Sequence, residues 1–296
     1  MMRKIRYYIE AASVRMVYCL FRMLSVYTAS ELGGYLARTI GPYLHRSKIA
    51  RSNIKKAMPE LGNDEIDRII KGMWDNLGRT LAEFPHMDGL DPETFDKLVV
   101  FEGLENIVDA CRFKRGSIYF TGHLANWEMT AKSFTVNGHP LTVVVRRGNN
   151  PGLEKIVQEL RTGYQLNTIP KGQSGARQML RALKNGKCVG IFIDQKMNDG
   201  IKTRFFGLDA MTAPAIARLA LKYDYPVLPT RTVRLDGPRH KVTIFPPIRV
   251  SRTGDMDKDV VDVMNNINLI MEGWIREHPE QWFWIHNRWH ESNEPG

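Results

Sequence analysis

Cysteine is scarce in this 296-residue chain: Cys19, Cys111 and Cys188 lie far apart and form no CxxC pair. An odd, scattered set offers no disulfide framework and favours a reducing compartment, each thiol reading first as a small buried apolar residue. An HEXXH metal signature is missing too, so no metal is assigned. No apolar run reaches the roughly 18 uncharged residues a spanning helix needs, because Arg15 and Arg22 interrupt the first candidate. The amino terminus also lacks a clean apolar core followed by a small-residue cleavage site, as a secretory signal would have. Internal repeats and low-complexity linkers are absent. With 43% hydrophobic and 25% charged residues the chain is globular, and it is long enough for one large domain or a core domain with a helical extension.

Acidic residues are scarce at one end. Residues 1–56 carry eleven Lys or Arg against Glu10 and Glu31 alone, which places +9 of the net charge of +10 in that segment. The basic residues alternate with Tyr7, Tyr8, Ile9, Met16, Val17, Leu20, Phe21 and Leu24. This pattern suits an amphipathic element lying on an anionic bilayer, where each Lys or Arg contributes on the order of 1 kcal/mol. Residues 1–60 are therefore read as a monotopic membrane-associating lobe and residues 61–296 as the main domain. Net charge alone also fits nucleic acid. The interleaved large apolar residues favour lipid, and without a zinc finger or an RNA-binding aromatic motif no nucleic-acid partner is expected. A non-catalytic basic protein binding membrane or nucleic acid is the reading from a different class.

Periodicity supplies a coarse architecture. Residues 5–45 read as two helical segments divided near 28–31, followed by a short basic helix over 48–58. Asn63 or Asp64 is placed to cap a longer helix on which Ile66, Ile69, Ile70, Met73, Trp74, Leu77 and Leu81 recur at helical spacing. Short β-favouring runs follow at 98–101, 117–121, 141–146, 167–170 and 188–193, with helical stretches between them. Later strands at 227–234 and 241–245 flank an Asp236-Gly237-Pro238 turn, and a last helix covers 260–277. The fold class is α/β: a single mixed, largely parallel sheet flanked by helices, with an N-terminal helical lobe.

Chemistry concentrates in Thr121-Gly122-His123-Leu124-Ala125-Asn126-Trp127-Glu128-Met129, directly after an apolar strand. Residues five apart on a helix sit roughly 140° apart. If His123 and Glu128 meet one substrate, His123 must therefore occupy the turn and Glu128 the first turns of the helix. A carboxylate on one imidazole nitrogen leaves the other free to take a hydroxyl proton, which suits acyl transfer to an alcohol. Taken alone, the spacing favours an ordinary turn histidine and a solvated helix glutamate over a catalytic pair.

His123-Leu124-Ala125-Asn126-Trp127-Glu128 resembles the H-X4-(D/E) box of the glycerolipid acyltransferase superfamily, in the setting of its bacterial lipid A late acyltransferase branch. Three further blocks agree in order. Val145-Arg146-Arg147-Gly148-Asn149-Asn150-Pro151 is similar to the second, and Gly190-Ile191-Phe192-Ile193-Asp194 to the third. Pro279-Glu280-Gln281-Trp282-Phe283-Trp284-Ile285-His286-Asn287-Arg288 is similar to the carboxyl-terminal block. The resemblance implies a glycerol-3-phosphate acyltransferase-like fold. It also implies transfer of a fatty acyl group from acyl carrier protein to a hydroxyl of a lipid A precursor, at the cytoplasmic face of the bacterial inner membrane. Another glycolipid or a glycerophospholipid is the alternative acceptor. No cofactor is required, since the thioester donor is already activated.

The roles then expected are His123 as general base and Glu128 as its orienting partner. Arg146 or Arg147 would bind an acceptor phosphate or stabilise the oxyanion. Asn150 reads as a helix cap near the substrate, and Asp194 as closing the cleft through a basic side chain or capping its loop. Trp282, Trp284 and Trp289 are read as lining an acyl groove or as core. Lys171, Arg177, Arg181, Lys184 and Lys187 are candidates to dock the acidic carrier protein.

Overall fold

The computed structural model describes residues 2–112, 115–146 and 148–289. Its amino terminus is helical, with α1 (Met2–Arg22), α2 (Val26–Ile40), α3 (His45–Ala57) and α4 (Asn63–Glu83). The first break falls at residues 23–25, earlier than the expected 28–31. Ser25 accepts from the Thr28 amide at 3.1 Å and so fixes the start of α2 there. Gly62, rather than Asn63 or Asp64, is the N-cap of α4, its N–H donating to Glu65 Oε2 at 3.1 Å.

The α2–α4 crossing is close because glycines allow it. A Cβ at Gly33 would stand 2.5 Å from both Ala82 Cβ and Gly78 O. α1 lies elsewhere, against α8 (Pro151–Gly163) and the turn at Phe84–His86, tied down by Arg15 to Glu159 at 2.6 Å and Arg22 to Asp88 at 3.0 Å.

After α5 (Pro92–Leu98) the chain alternates: β1 (Val99–Glu102), α6 (Leu104–Ala110), β2 (Ser117–Thr121), α7 (Glu128–Val136), β3 (Leu141–Val145), then α8, β4 (Asn167–Pro170), α9 (Gln173–Lys184) and β5 (Cys188–Phe192). The antiparallel pair β6 (Ile201–Phe205) and β7 (Leu208–Thr212) comes next and was not expected; Thr, Lys, Arg and Asp dilute its apolar alternation. α10 (Ala215–Tyr223), β8 (Val227–Asp236), β9 (Arg239–Ile244) and α11 (Met256–Glu277) complete the domain.

Seven strands form one sheet in the order β1-β9-β8-β2-β5-β3-β4, mixed only at the antiparallel β8–β9 pair. Every residue of the central strand β2 is buried, as a strand with both faces covered must be. Ile118 and Phe120 enter the core beneath α4, α10 and α11, whereas Tyr119 enters the opposite core with Met129 and Phe134. All three cysteines are free; Cys19 is exposed on α1 rather than buried as expected, whereas Cys111 and Cys188 bring their sulfurs to 3.6 Å within the second core. No helix among the described residues is long and apolar enough to cross a membrane.

Candidate active site

Strand register builds the site. β2 and β5 are neighbours with Thr121 opposite Phe192, so residues two further along each strand, His123 and Asp194, come side by side at the carboxyl edge. Asp194 Oδ1 lies 2.9 Å from His123 Nδ1, while its Oδ2 accepts from the His123 backbone N–H at 2.7 Å and from the Trp282 indole at 2.8 Å. Burial would raise the Asp194 carboxyl. The facing His123 ring and amide outweigh it and hold the group well below the ordinary carboxylate range. Gly122 makes room, because a Cβ there would approach Asp194 Oδ2 to 3.2 Å.

This geometry corrects the expected partner of His123. Glu128 opens α7 and points away from the imidazole into the protein, where Arg161 Nη2 donates to its Oε1 at 2.5 Å and the Tyr164 hydroxyl donates to its Oε2. Burial would lower the Arg161 guanidinium, but the Glu128 carboxylate overrides that and holds it above its ordinary value. The helical arithmetic had already separated positions 123 and 128 by 140°. What it could not supply was a closer carboxylate on the next strand.

The backbone of the loop after β2 is locked from two sides. Ala125 takes φ +48°, its N–H donates to Gln281 O at 2.9 Å, and its carbonyl accepts from Thr80 at 3.2 Å. The carboxyl-terminal segment closes over the loop, with Phe283 N–H donating to His123 O at 3.2 Å. Deeper in, Glu83, Arg234, Ser30 and Asn126 form a buried network beneath the loop.

Around the ring stand Phe192, Trp127 and Phe283, with centroids 4.5, 5.1 and 6.3 Å from that of His123. The His123 side chain remains 17% exposed. The Gln195 amide sits 3.4 Å from its Nε2 and 2.8 Å from His286 Nε2. Burial pushes His286 down to about 4, so it is neutral and can accept from the amide. Gln195, His286, Arg161 and Tyr164 were not singled out from sequence. His286 lies in the carboxyl-terminal block, which is its signal in the sequence.

The remaining predicted residues divide. Arg146 follows β3 at the same sheet edge, exposed and with no ion pair among the described residues. Arg147 lies outside the described residues. Lys171, at the end of β4, feels both Asp194 and Arg146; partial desolvation lowers its ammonium and Asp194 partly restores it. It follows β4 beside the end of β3 and is exposed, as are Arg177, Arg181 and Lys184 along α9 and Lys187 just before β5. Asn150 caps α8 through the Gly152 amide at 2.9 Å, and its own amide reaches Tyr7 O and Glu10 on α1 at 3.0 Å. Trp282, Trp284 and Trp289 are core residues, at most 5% exposed.

A buried carboxylate fixing an accessible imidazole at the carboxyl edge of a largely parallel sheet is a general-base arrangement. Comparison with known proteins gives the chain a family. The family described as bacterial lipid A biosynthesis acyltransferase matches residues 1–291, and the chain belongs to it. Among curated relatives, the lipid A biosynthesis acyltransferase 2 of Shigella flexneri is 21% identical over 86% of this chain and 80% of its own length. The lipid A biosynthesis lauroyltransferase of Escherichia coli (strain K12) is 23% identical over 82% and 78%, and the palmitoleoyltransferase of the same organism 24% identical over 87% and 83%. The crystal structure of the 1-acyl-sn-glycerophosphate acyltransferase PlsC from Thermotoga maritima is a distant likeness, with a TM-score of 0.35 and 14% identity over 86% of this chain and 100% of that one.

Proposed function

We propose that the protein transfers a fatty acyl group from acyl carrier protein to a hydroxyl of a lipid A precursor, at the cytoplasmic surface of the inner membrane. The observation that carries the reading is the Asp194–His123 pair, with Nδ1 engaged at 2.9 Å on a ring that stays 17% exposed. His123 Nε2 takes the acceptor hydroxyl proton as its oxygen attacks the thioester carbonyl. The tetrahedral intermediate then expels the carrier thiolate, which recovers the proton from His123. Asp194 holds the tautomer and stabilises the imidazolium formed between the two steps. Arg146 and Lys171, at the ends of neighbouring strands, present positive charge to the acceptor phosphate or the developing oxyanion. Glu128 is a positioning residue: it anchors Arg161 and Tyr164 behind the loop and does not touch the base. No cofactor enters these steps.

The test is acyl transfer by purified protein from acyl carrier protein thioesters to a lipid A precursor, followed by mass spectrometry. A product one acyl chain heavier, lost in folded His123→Ala, supports the reading. Acylation of a glycerophospholipid in preference to the lipid A precursor would replace the acceptor. Undiminished turnover in His123→Ala would sink the mechanism.

A further inference from the structure

α2 is apolar on both sides, with the sizes of its side chains reversed from those of an ordinary surface helix. Its small residues Ala29, Ser30, Gly33 and Gly34 face α4, while Leu32, Tyr35, Leu36 and Ile40 form an outward row. Tyr43 and Leu44 continue that row past the helix end, and Ile40 and Tyr43 are 57% and 89% exposed. Contiguous exposed apolar surface of this kind marks an interaction site.

Beside the row, α2, α3 and α4 enclose an open cleft of about 550 Å³, lined among others by Tyr35, Arg38, Tyr43, Lys48, Arg51 and Lys71. Arg51 pairs with Asp67, and Arg38 with Asp75 at 2.5 Å. Lys48 and Lys71 have no carboxylate at ion-pair distance among the described residues. α3 itself carries Arg46, Lys48, Arg51, Lys55 and Lys56 and no acidic residue.

We propose that this cleft seats the phosphate headgroup of an anionic glycerophospholipid while the α2 row enters the headgroup–acyl boundary. Positive charge beside aliphatic and tyrosine side chains matches that boundary, where the lower part of the row meets hydrocarbon and the ammonium groups meet phosphate. A second copy of the chain would set one acid-free α3 against another, so self-association does not explain the patch. α3 also links the seat to the active site. Lys48 and Arg51 face the cleft, while Asn53, on the opposite side of the helix, donates to Trp284 O at 2.7 Å and to His286 O. Docking here would therefore hold the His123 cleft at a fixed height relative to the bilayer. The inference deepens the membrane part of the proposed function, and binding is read separately from turnover.

The experiment is flotation of the full chain with vesicles of phosphatidylcholine alone or mixed with phosphatidylglycerol. Three proteins are compared: the natural sequence, the Lys48→Glu/Lys71→Glu double variant and the Ile40→Ser/Tyr43→Ser double variant. At about 1 kcal/mol per basic residue, the lysine variant should lose at least about thirtyfold in partitioning to the anionic vesicles. The apolar variant should lose affinity for both vesicle types. Turnover on detergent-dispersed acceptor should stay unchanged in both, so that failure of catalysis and failure of docking remain distinguishable. Partitioning of the lysine variant equal to that of the natural protein would overturn the proposal. So would a loss confined to acyl carrier protein binding, or displacement from vesicles by millimolar inorganic phosphate alone.

Discussion

Asp194 Oδ1 lies 2.9 Å from His123 Nδ1 although 71 residues separate them in the chain. The contact exists because β5 is β2's parallel neighbour and both strands end at the same level. Asp194→Asn is expected to lower kcat by about 10²- to 10⁴-fold, since an amide cannot stabilise the imidazolium and can present its NH₂ to Nδ1. KM for the acceptor should change little, because the carboxylate is fully buried behind the imidazole. Steady-state kinetics with a circular-dichroism check of folding measure this, and a kcat within threefold of the natural protein would remove Asp194 from the mechanism.

Glu128 makes a different prediction because its partners are structural. In Glu128→Ala the Arg161 guanidinium stays buried without its counter-ion, and breaking such a pair costs about 3–5 kcal/mol. Replacing both residues by apolar ones, as in Glu128→Leu/Arg161→Met, should recover at least half of that loss in urea unfolding. If the double variant is no more stable than Glu128→Ala, the pair is not the cause. A folded double variant that keeps measurable turnover would also separate Glu128 from the base itself.

Much of this arrangement was legible beforehand. β2 and β4 run over the residues their β-branched and aromatic content indicated, and the helices between strands begin within a few residues of their Pro or Ser signals. Local signals of this kind are written in consecutive residues. The His123–Asp194 contact is not, since it depends on which strands are neighbours, and five elements intervene between β2 and β5 in the chain. Arg161 and Tyr164 were invisible for the same reason: on α8 and at its carboxyl-terminal cap they read as ordinary residues of an amphipathic helix until α7 is laid beside them. The β6–β7 pair escaped because charged residues on its exposed face blur the alternation.

The buried network under the loop after β2 predicts an acid sensitivity. His240 is fully buried, donating through Nδ1 to Pro238 O at 2.9 Å, with Nε2 3.9 Å from Glu83 and no hydrogen-bond partner. Burial, reinforced by Arg234, pushes it down to about 3. Its folded value lies below that of the unfolded chain, so the unfolded state takes up the proton first. Stability is therefore complete above about pH 6.5 and declines between about 6.5 and 3, by about 1.4 kcal/mol per pH unit. Urea unfolding at pH 7.5 and 5.0 should show the natural protein losing about 2 kcal/mol more than His240→Asn over that interval. Parallel losses in the two proteins would place the sensitivity elsewhere.

Gly122 offers the finest test of how tightly the base is positioned. A methyl group there meets Met271 Cε at 2.3 Å, a flexible end that can move aside, and at 3.2 Å Asp194 Oδ2, which is held by the His123 amide and the Trp282 indole. Gly122→Ala should therefore cost about 1–3 kcal/mol of stability through overpacking. Its larger effect should be on kcat, since a displacement of a few tenths of an ångström in Asp194 turns the imidazole, and misplacement approaching 1 Å can cost about 100-fold. Gly138→Ala is the control: its φ of +77° makes alanine strained, but nothing lies within 4 Å of the added methyl. It should lose about 1 kcal/mol of stability and keep its kcat. Equal kcat values in the two variants would show that the space around Asp194 does not govern the base.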